Sequence, residues 1–164
     1  MYNYVLTEKG SSWIASRMVG GSKPLDVMYV IYDNGGKECI DLVPSITADY
    51  FHNLSGTTGA VRITKNIANT CIHNESGSTS AMISGIVHKD DLRLNDKYPE
   101  VTASVSKIIA VAVGYSGSDT SDSDVIVAAC NITKDGVCSP VPWIDNMSMS
   151  VSCPITIAPY PSEK

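Results

Sequence analysis

Phenylalanine occurs once in this chain, and charged residues make up only 18% of it. The lysines and arginines are scattered, with no basic stripe, and the net charge is −5. That pattern excludes the electrostatic footprint of a nucleic-acid binder. No run of about 18 apolar residues occurs, so no helix spans a membrane and no membrane insertion is expected. Gly-x-Ser-x-Gly is missing, and Gly35-Gly36-Lys37 lacks the upstream glycine of a phosphate loop. No cysteine pair is separated by two residues, the spacing that zinc sites favour. Met1-Tyr2-Asn3-Tyr4 has neither the positive nor the apolar region of a secretory signal. The expectation is a native start and synthesis in a reducing cytoplasm.

What remains suits one β-rich domain. The chain has 164 residues, 43% of them hydrophobic, enough to bury a core. Eight tyrosines stand against the single phenylalanine, so much of the aromatic surface carries a hydroxyl suited to half-buried or interface positions. The boundaries expected are one domain over 1–157 and a proline-containing tail over 158–164.

One convincing amphipathic helix is legible, over about residues 7–19. Thr7 is placed to cap it, Glu8 complements its positive end, and Gly20-Gly21 stops it. Trp13, Ile14 and Met18 make its apolar stripe, with the stem of Arg17 along the edge. The stripe predicts a helix packed on a sheet. Leu25 to Tyr32 follows as a strand, closed by the turn Asp33-Asn34-Gly35-Gly36. Lys37 to Val43 is expected to pair back on it as a second strand, with Pro44 ending the pair.

Asp49 to Leu54 is short and aromatic, compatible with one helical turn. A single strand is expected from Ala60 to Cys71. Ala81 to His88 is apolar and reads equally as helix or strand, although Gly85 weighs against the helix. Lys89 to Glu100 reads as a surface connection. Val101 to Tyr115 is a nearly continuous β-branched run, as in a strand covered on both faces. Val125 to Ile132 returns beside it. Met147 to Ile157 alternates strictly, marking one buried strand face. The fold class expected is α+β, a mainly antiparallel β-sheet or sandwich with one N-terminal helix.

Candidate chemistry is sparse. Asp119, Asp122 and Asp124 crowd one polar stretch, the oxygen-rich composition of a weak calcium loop, but the glycine and terminal glutamate of such a loop are missing. A solvated hairpin tip accounts for them. Cys71 and His73 form a single short-spaced pair, and His52 and His88 complete the histidines, too few paired spacings for zinc. Asp90, Asp91, Asp96 and Glu100 share one polar stretch, which gives no pair with separated pKa values. Asn53, Asn74, Asn131 and Asn146 open glycosylation sequons that are accidental without a signal peptide. Cys39, Cys71, Cys130, Cys138 and Cys153 read first as small packing residues. Disulfides in an assembled particle are the alternative, and Cys130 and Cys138 are close enough in sequence to face each other across a hairpin. No catalytic, cofactor-binding or metal site is expected, and no cofactor.

The segment Tyr4-Val5-Leu6-Thr7-Glu8-Lys9-Gly10, the Gly20-Gly21 stop and the strand Leu25-Asp26-Val27-Met28-Tyr29-Val30 resemble the start of bacteriophage tail-collar and tail-fibre N-terminal domains. Lys107 to Gly114 with Asp124 to Ala129 is similar to that family's central hairpin. The segment Asn66 to Glu100 has no clear counterpart there, and a fibre shaft and receptor-binding tip are missing. The resemblance implies a non-enzymatic virion structural protein, made in the host cytoplasm. It would be homo-oligomeric, with a trimer favoured, and would attach fibres to other tail, collar or baseplate proteins. Capsid or tail-tube decoration and host-surface carbohydrate binding are the alternatives. Trp13, Tyr29, Tyr32 and Trp143 are the aromatics expected at interfaces.

Overall fold

A computed structural model describes residues 2–21, 23–73, 79–117, 123–144 and 147–157, with the backbone alone at 71–73, 79–80 and 157. The elements run β1 (Tyr4–Leu6), α1 (Glu8–Met18), β2 (Val27–Asp33), α2 (Ala48–His52), β3 (Thr58–Ile63), β4 (Ala68–His73), β5 (Thr79–Val87) and β6 (Lys107–Tyr115). They continue through β7 (Val125–Asn131), β8 (Thr133–Lys134), β9 (Val137–Cys138), β10 (Val141–Pro142) and β11 (Met149–Ile157). The fold is α+β and mainly antiparallel β.

The larger sheet has the order β1-β7-β6-β2-β3, with β10 pairing on the β6 end. The smaller has the order β11-β5-β4. Their facing sides close one core, in which Met28, Val30 and Val113 meet Ile83, Val151 and Cys153. The other side of the larger sheet is covered by the connection after β2 and by α2, through Ile40, Leu42, Ile46 and Phe51. This double cover is why β2 is buried along its whole length and β6 nearly so. It also explains the unbroken Val/Ile/Ala sequence of β6, since both pleat faces need apolar side chains.

Several local expectations change. The segment after the β2 turn does not return as a strand. β2 is flanked by β3 and β6, and Leu42 makes only an isolated bridge to Tyr2. The side-chain amide of Asn131 instead satisfies Ile40, accepting from its N–H at 3.0 Å and donating to its C=O at 3.1 Å. The single strand expected from Ala60 to Cys71 is two, in different sheets. The break holds Asn66 at φ 58°, a left-handed conformation asparagine tolerates. The β6 strand begins at Lys107, because Val105 and Ser106 turn back with both N–H groups on the Thr102 carbonyl. Ala81 to Val87 is strand, part of β5.

Cysteine is corrected as well. Cys39 and Cys138 are joined in a disulfide across a sequence separation of 99 residues. Cys138 therefore pairs with Cys39 and not with Cys130. Cys130 and Cys153 are free and buried, in keeping with packing. The side chain of Cys71 lies outside the described residues.

Candidate docking site at the first helix

The Thr7 cap forms as its sequence predicts: its hydroxyl oxygen accepts the Gly10 N–H at 2.8 Å. The same hydroxyl donates to the Ile126 carbonyl at 2.5 Å, tying the helix start to β7. What seats α1 is not its apolar stripe. Gly10 is the one fully buried residue of the helix, and a Cβ there would lie 2.1 Å from the Val127 carbonyl oxygen. The helix thus touches the sheet backbone directly, at its first turn.

The rest of α1 diverges from that contact. Trp13 and Ile14 pack only partly against the core, and Met18 and the following Val19 are 82% and 86% exposed. Between this stripe and the smaller sheet lies an open groove of about 490 Å³. Trp13, Ile14, Arg17 and Met18 form one wall, Pro24 and Leu25 one end, and Asn69, Ala81, Ile83 and Ile155 the other wall. Trp13 is held in place on two sides. Its indole N–H donates to the Lys23 carbonyl at 2.8 Å, and the Arg17 guanidinium lies 5.6 Å from its ring centre. Among the described residues, Arg17 is the one ionisable residue that lines the groove.

The four aromatics expected at interfaces therefore separate. Trp13 is at the surface, on the groove. Tyr29, Tyr32 and Trp143 are 0% exposed within the protomer, which corrects their assignment to a surface. They are interior because β2 is covered on both faces and Trp143 inserts edge-on against Tyr32, with ring centres 5.9 Å apart. The hydroxyls that suggested interface positions are used internally: Tyr29 donates to Asp124 and Tyr32 to the Pro99 carbonyl.

The acidic stretch resolves differently at its one described carboxylate. Residues 118–122 lie outside the described residues. Asp124 is buried and takes a two-pronged contact from Arg62 together with the Tyr29 hydroxyl. Burial foremost, then the Asp124 carboxylate, pushes the Tyr29 hydroxyl far above its ordinary pKa. All three groups are occupied with one another, which is the chemistry of a structural tie. Sequence reasoning missed it because nothing local marks Arg62 and Asp124 as partners.

The acidic candidates Asp90, Asp91, Asp96 and Glu100 line one polar hollow together with Lys89 and Arg93. His88 approaches Asp90 at 3.3 Å, Asp91 accepts the His88 backbone N–H at 2.8 Å, and Arg93 lies 3.6 Å from Glu100. The side chain of His73 is outside the described residues. Among the described residues, no three His, Cys, Asp or Glu side chains are gathered closely enough to hold a metal ion. No described helix is long and apolar enough to cross a membrane. No protein-family model matches the sequence, and no curated protein or solved structure is significantly similar to it.

Proposed function

We propose that this chain is a non-enzymatic virion structural protein, an adaptor of tail-fibre, collar or baseplate attachment that acts by docking to neighbouring subunits. The observation that carries the docking role is the half-covered apolar wall of α1, where Trp13, Ile14 and Met18 line an open groove. A preorganised aromatic beside apolar side chains is what a subunit interface uses as an anchor. The assignment to a phage tail rests on the resemblance of the first thirty or so residues. The groove's apolar lining also supports a binding role over a chemical one, since general acid–base work needs converging titratable groups. Carbohydrate binding finds less support, because Trp13 is half-buried and Arg17 overlies its ring.

Quantitative mass spectrometry of purified particles tests the proposal. Detection in small multiples per particle supports the adaptor. Tens to hundreds of copies would move it to a decorating or tube subunit, and absence from particles would end it. Light scattering on the purified chain tests the assembly, with three copies expected and a stable monomer counting against a self-assembling fibre root.

A further inference from the structure

We infer that Cys130 and Cys153 are a redox-modification site, a dithiol that a small hydroperoxide closes into a disulfide between the two sheets. This goes beyond the docking role and does not rest on it. Cys130 lies on β7 of the larger sheet and Cys153 on β11 of the smaller. Both are free, buried and turned into the core that the facing sheets share. The Cys153 side chain hydrogen-bonds with that of Cys130. Stacked sheets ordinarily lie about 10 Å apart. Here β7 and β11 approach within 8 Å between Cα atoms. A disulfide spans only about 4–7 Å between Cα atoms, so it joins two layers only where they converge in this way.

The surroundings give each thiol its role. Cys130 is 8% exposed and Cys153 0%, so Cys130 is the one an oxidant reaches. Burial foremost, then the hydrogen bond with Cys130, raises the Cys153 thiol well above its usual range and keeps it protonated until it meets a partner sulfur. Tyr4 closes the site. It stands opposite Cys130 in the β1–β7 register, packs against the same core, and accepts the Thr156 N–H of β11 on its hydroxyl at 3.2 Å. Its ring thus bridges the two sheets beside the thiols.

The Cys39–Cys138 disulfide does not supply the oxidation. Cys39 adjoins Ile40, which Asn131 holds on the face of β7 opposite to that of Cys130. The oxidant is therefore external, and a compact uncharged peroxide suits a nearly closed site. Cys130 attacks one peroxide oxygen, the O–O bond breaks, and a sulfenic acid forms as water leaves. Cys153 then attacks the Cys130 sulfur. The S–S bond forms, the S–O bond breaks, and the hydroxyl departs as a second water with the Cys153 proton. Two thiols are oxidised and one peroxide is reduced to two waters.

The test treats the full chain, its Cys39–Cys138 disulfide intact, with hydrogen peroxide and maps cross-links by non-reducing peptide mass spectrometry. The native protein should yield a Cys130–Cys153 fragment lacking two hydrogens, and its melting temperature should rise. Cys153→Ala should stop at the sulfenic acid, trapped by dimedone at Cys130. Tyr4→Phe, its fold confirmed by amide dispersion, should cross-link several-fold faster. Thiols that stay reduced in the native protein under a treatment that oxidises them in urea would overturn the inference. So would overoxidation without a cross-link, a cross-link to Cys71 in place of the pair, or a rate that Tyr4→Phe leaves unchanged.

Discussion

Arg62 grips Asp124 by both carboxylate oxygens, Nε to Oδ2 at 2.7 Å and Nη2 to Oδ1 at 2.9 Å. Tyr29 completes the contact by donating its hydroxyl to Oδ2 at 2.5 Å. Tyr29 and Arg62 stand opposite each other in the β2–β3 register, and Ala112 is the β6 partner of Tyr29 in the same row. Asp124 arrives from the residue before β7. The triad therefore ties the edge strand β3 to the far side of the sheet, a fork geometry only arginine supplies.

Replacing Asp124 with alanine should be among the costliest single changes in the larger sheet. It leaves a guanidinium and a phenol without their acceptor. The expected loss is about 3 kcal/mol, the low end for breaking a buried pair because Arg62 keeps some solvent contact. Arg62→Met combined with Asp124→Leu should lose markedly less than Asp124→Ala alone. Urea unfolding of the three proteins decides it, and equal losses would show that the two residues do not act as a pair.

The Cys39–Cys138 disulfide should dominate the response to reductant. It closes a sequence separation of 99 residues. Constraining a loop of that size in the unfolded chain stabilises by about 4–5 kcal/mol in the chain-entropy account. Cys39→Ser/Cys138→Ser should lower the melting temperature by several degrees or more. Non-reducing peptide mapping should recover the two cysteines in one cross-linked fragment.

Gly10 tests how α1 is seated. With a Cβ only 2.1 Å from the Val127 oxygen, Gly10→Ala must lift the helix off β7, at a cost of about 1–3 kcal/mol despite alanine's better helix propensity. Gly36→Ala, where an added Cβ meets nothing within 4 Å, should be near neutral. Thermal melts of the pair separate a packing requirement from a general intolerance of alanine.

Alkaline pH should unfold the protein. Burial is the leading cause that raises the hydroxyls of Tyr4, Tyr29, Tyr50 and Tyr98, and it pushes Tyr32 up to about 12. A folded-state pKa above the unfolded value of 10.0 means the fold favours the neutral phenol. That contribution is complete below pH 10 and is lost as pH climbs through the folded values. Stability should be flat toward neutrality on the alkaline side and fall steadily above pH 10. Tyrosinate absorbance should then rise together with loss of structure. An early, independent rise by all five would contradict their burial.

Asp33 sets the opposite, acid-side dependence. Burial alone would raise its carboxyl, but hydrogen bonds from Thr57, Thr58, Gly35 and Lys37 together hold it below the ordinary value of 3.8. Its contribution is present above that value and lost as pH falls through the lower folded one. Asp33→Asn should therefore remove part of the acid sensitivity, measured as the pH dependence of urea midpoints between about pH 2 and 5.

Local rules determined a good deal here. The Thr7 cap, the Gly20-Gly21 stop, the β-branched β6 and the alternation of β11 each depend on contacts within a few residues or on a two-residue period. They are therefore written in the order of the side chains. The tertiary structure alone decided which strand lies beside which, that Asn131 would stand in for a strand at Ile40, and that Cys39 would find Cys138. It also placed Arg62 against Asp124, and left Trp13 at the surface while taking Tyr29, Tyr32 and Trp143 inside. These depend on residues tens of positions apart meeting across two sheets, and an aromatic ring reads the same in sequence whether a second layer covers it or not. The groove beside α1 is the clearest case. The apolar stripe was legible, but only the glycine contact with Val127, which fixes where the helix stands, determines that the stripe stays half uncovered.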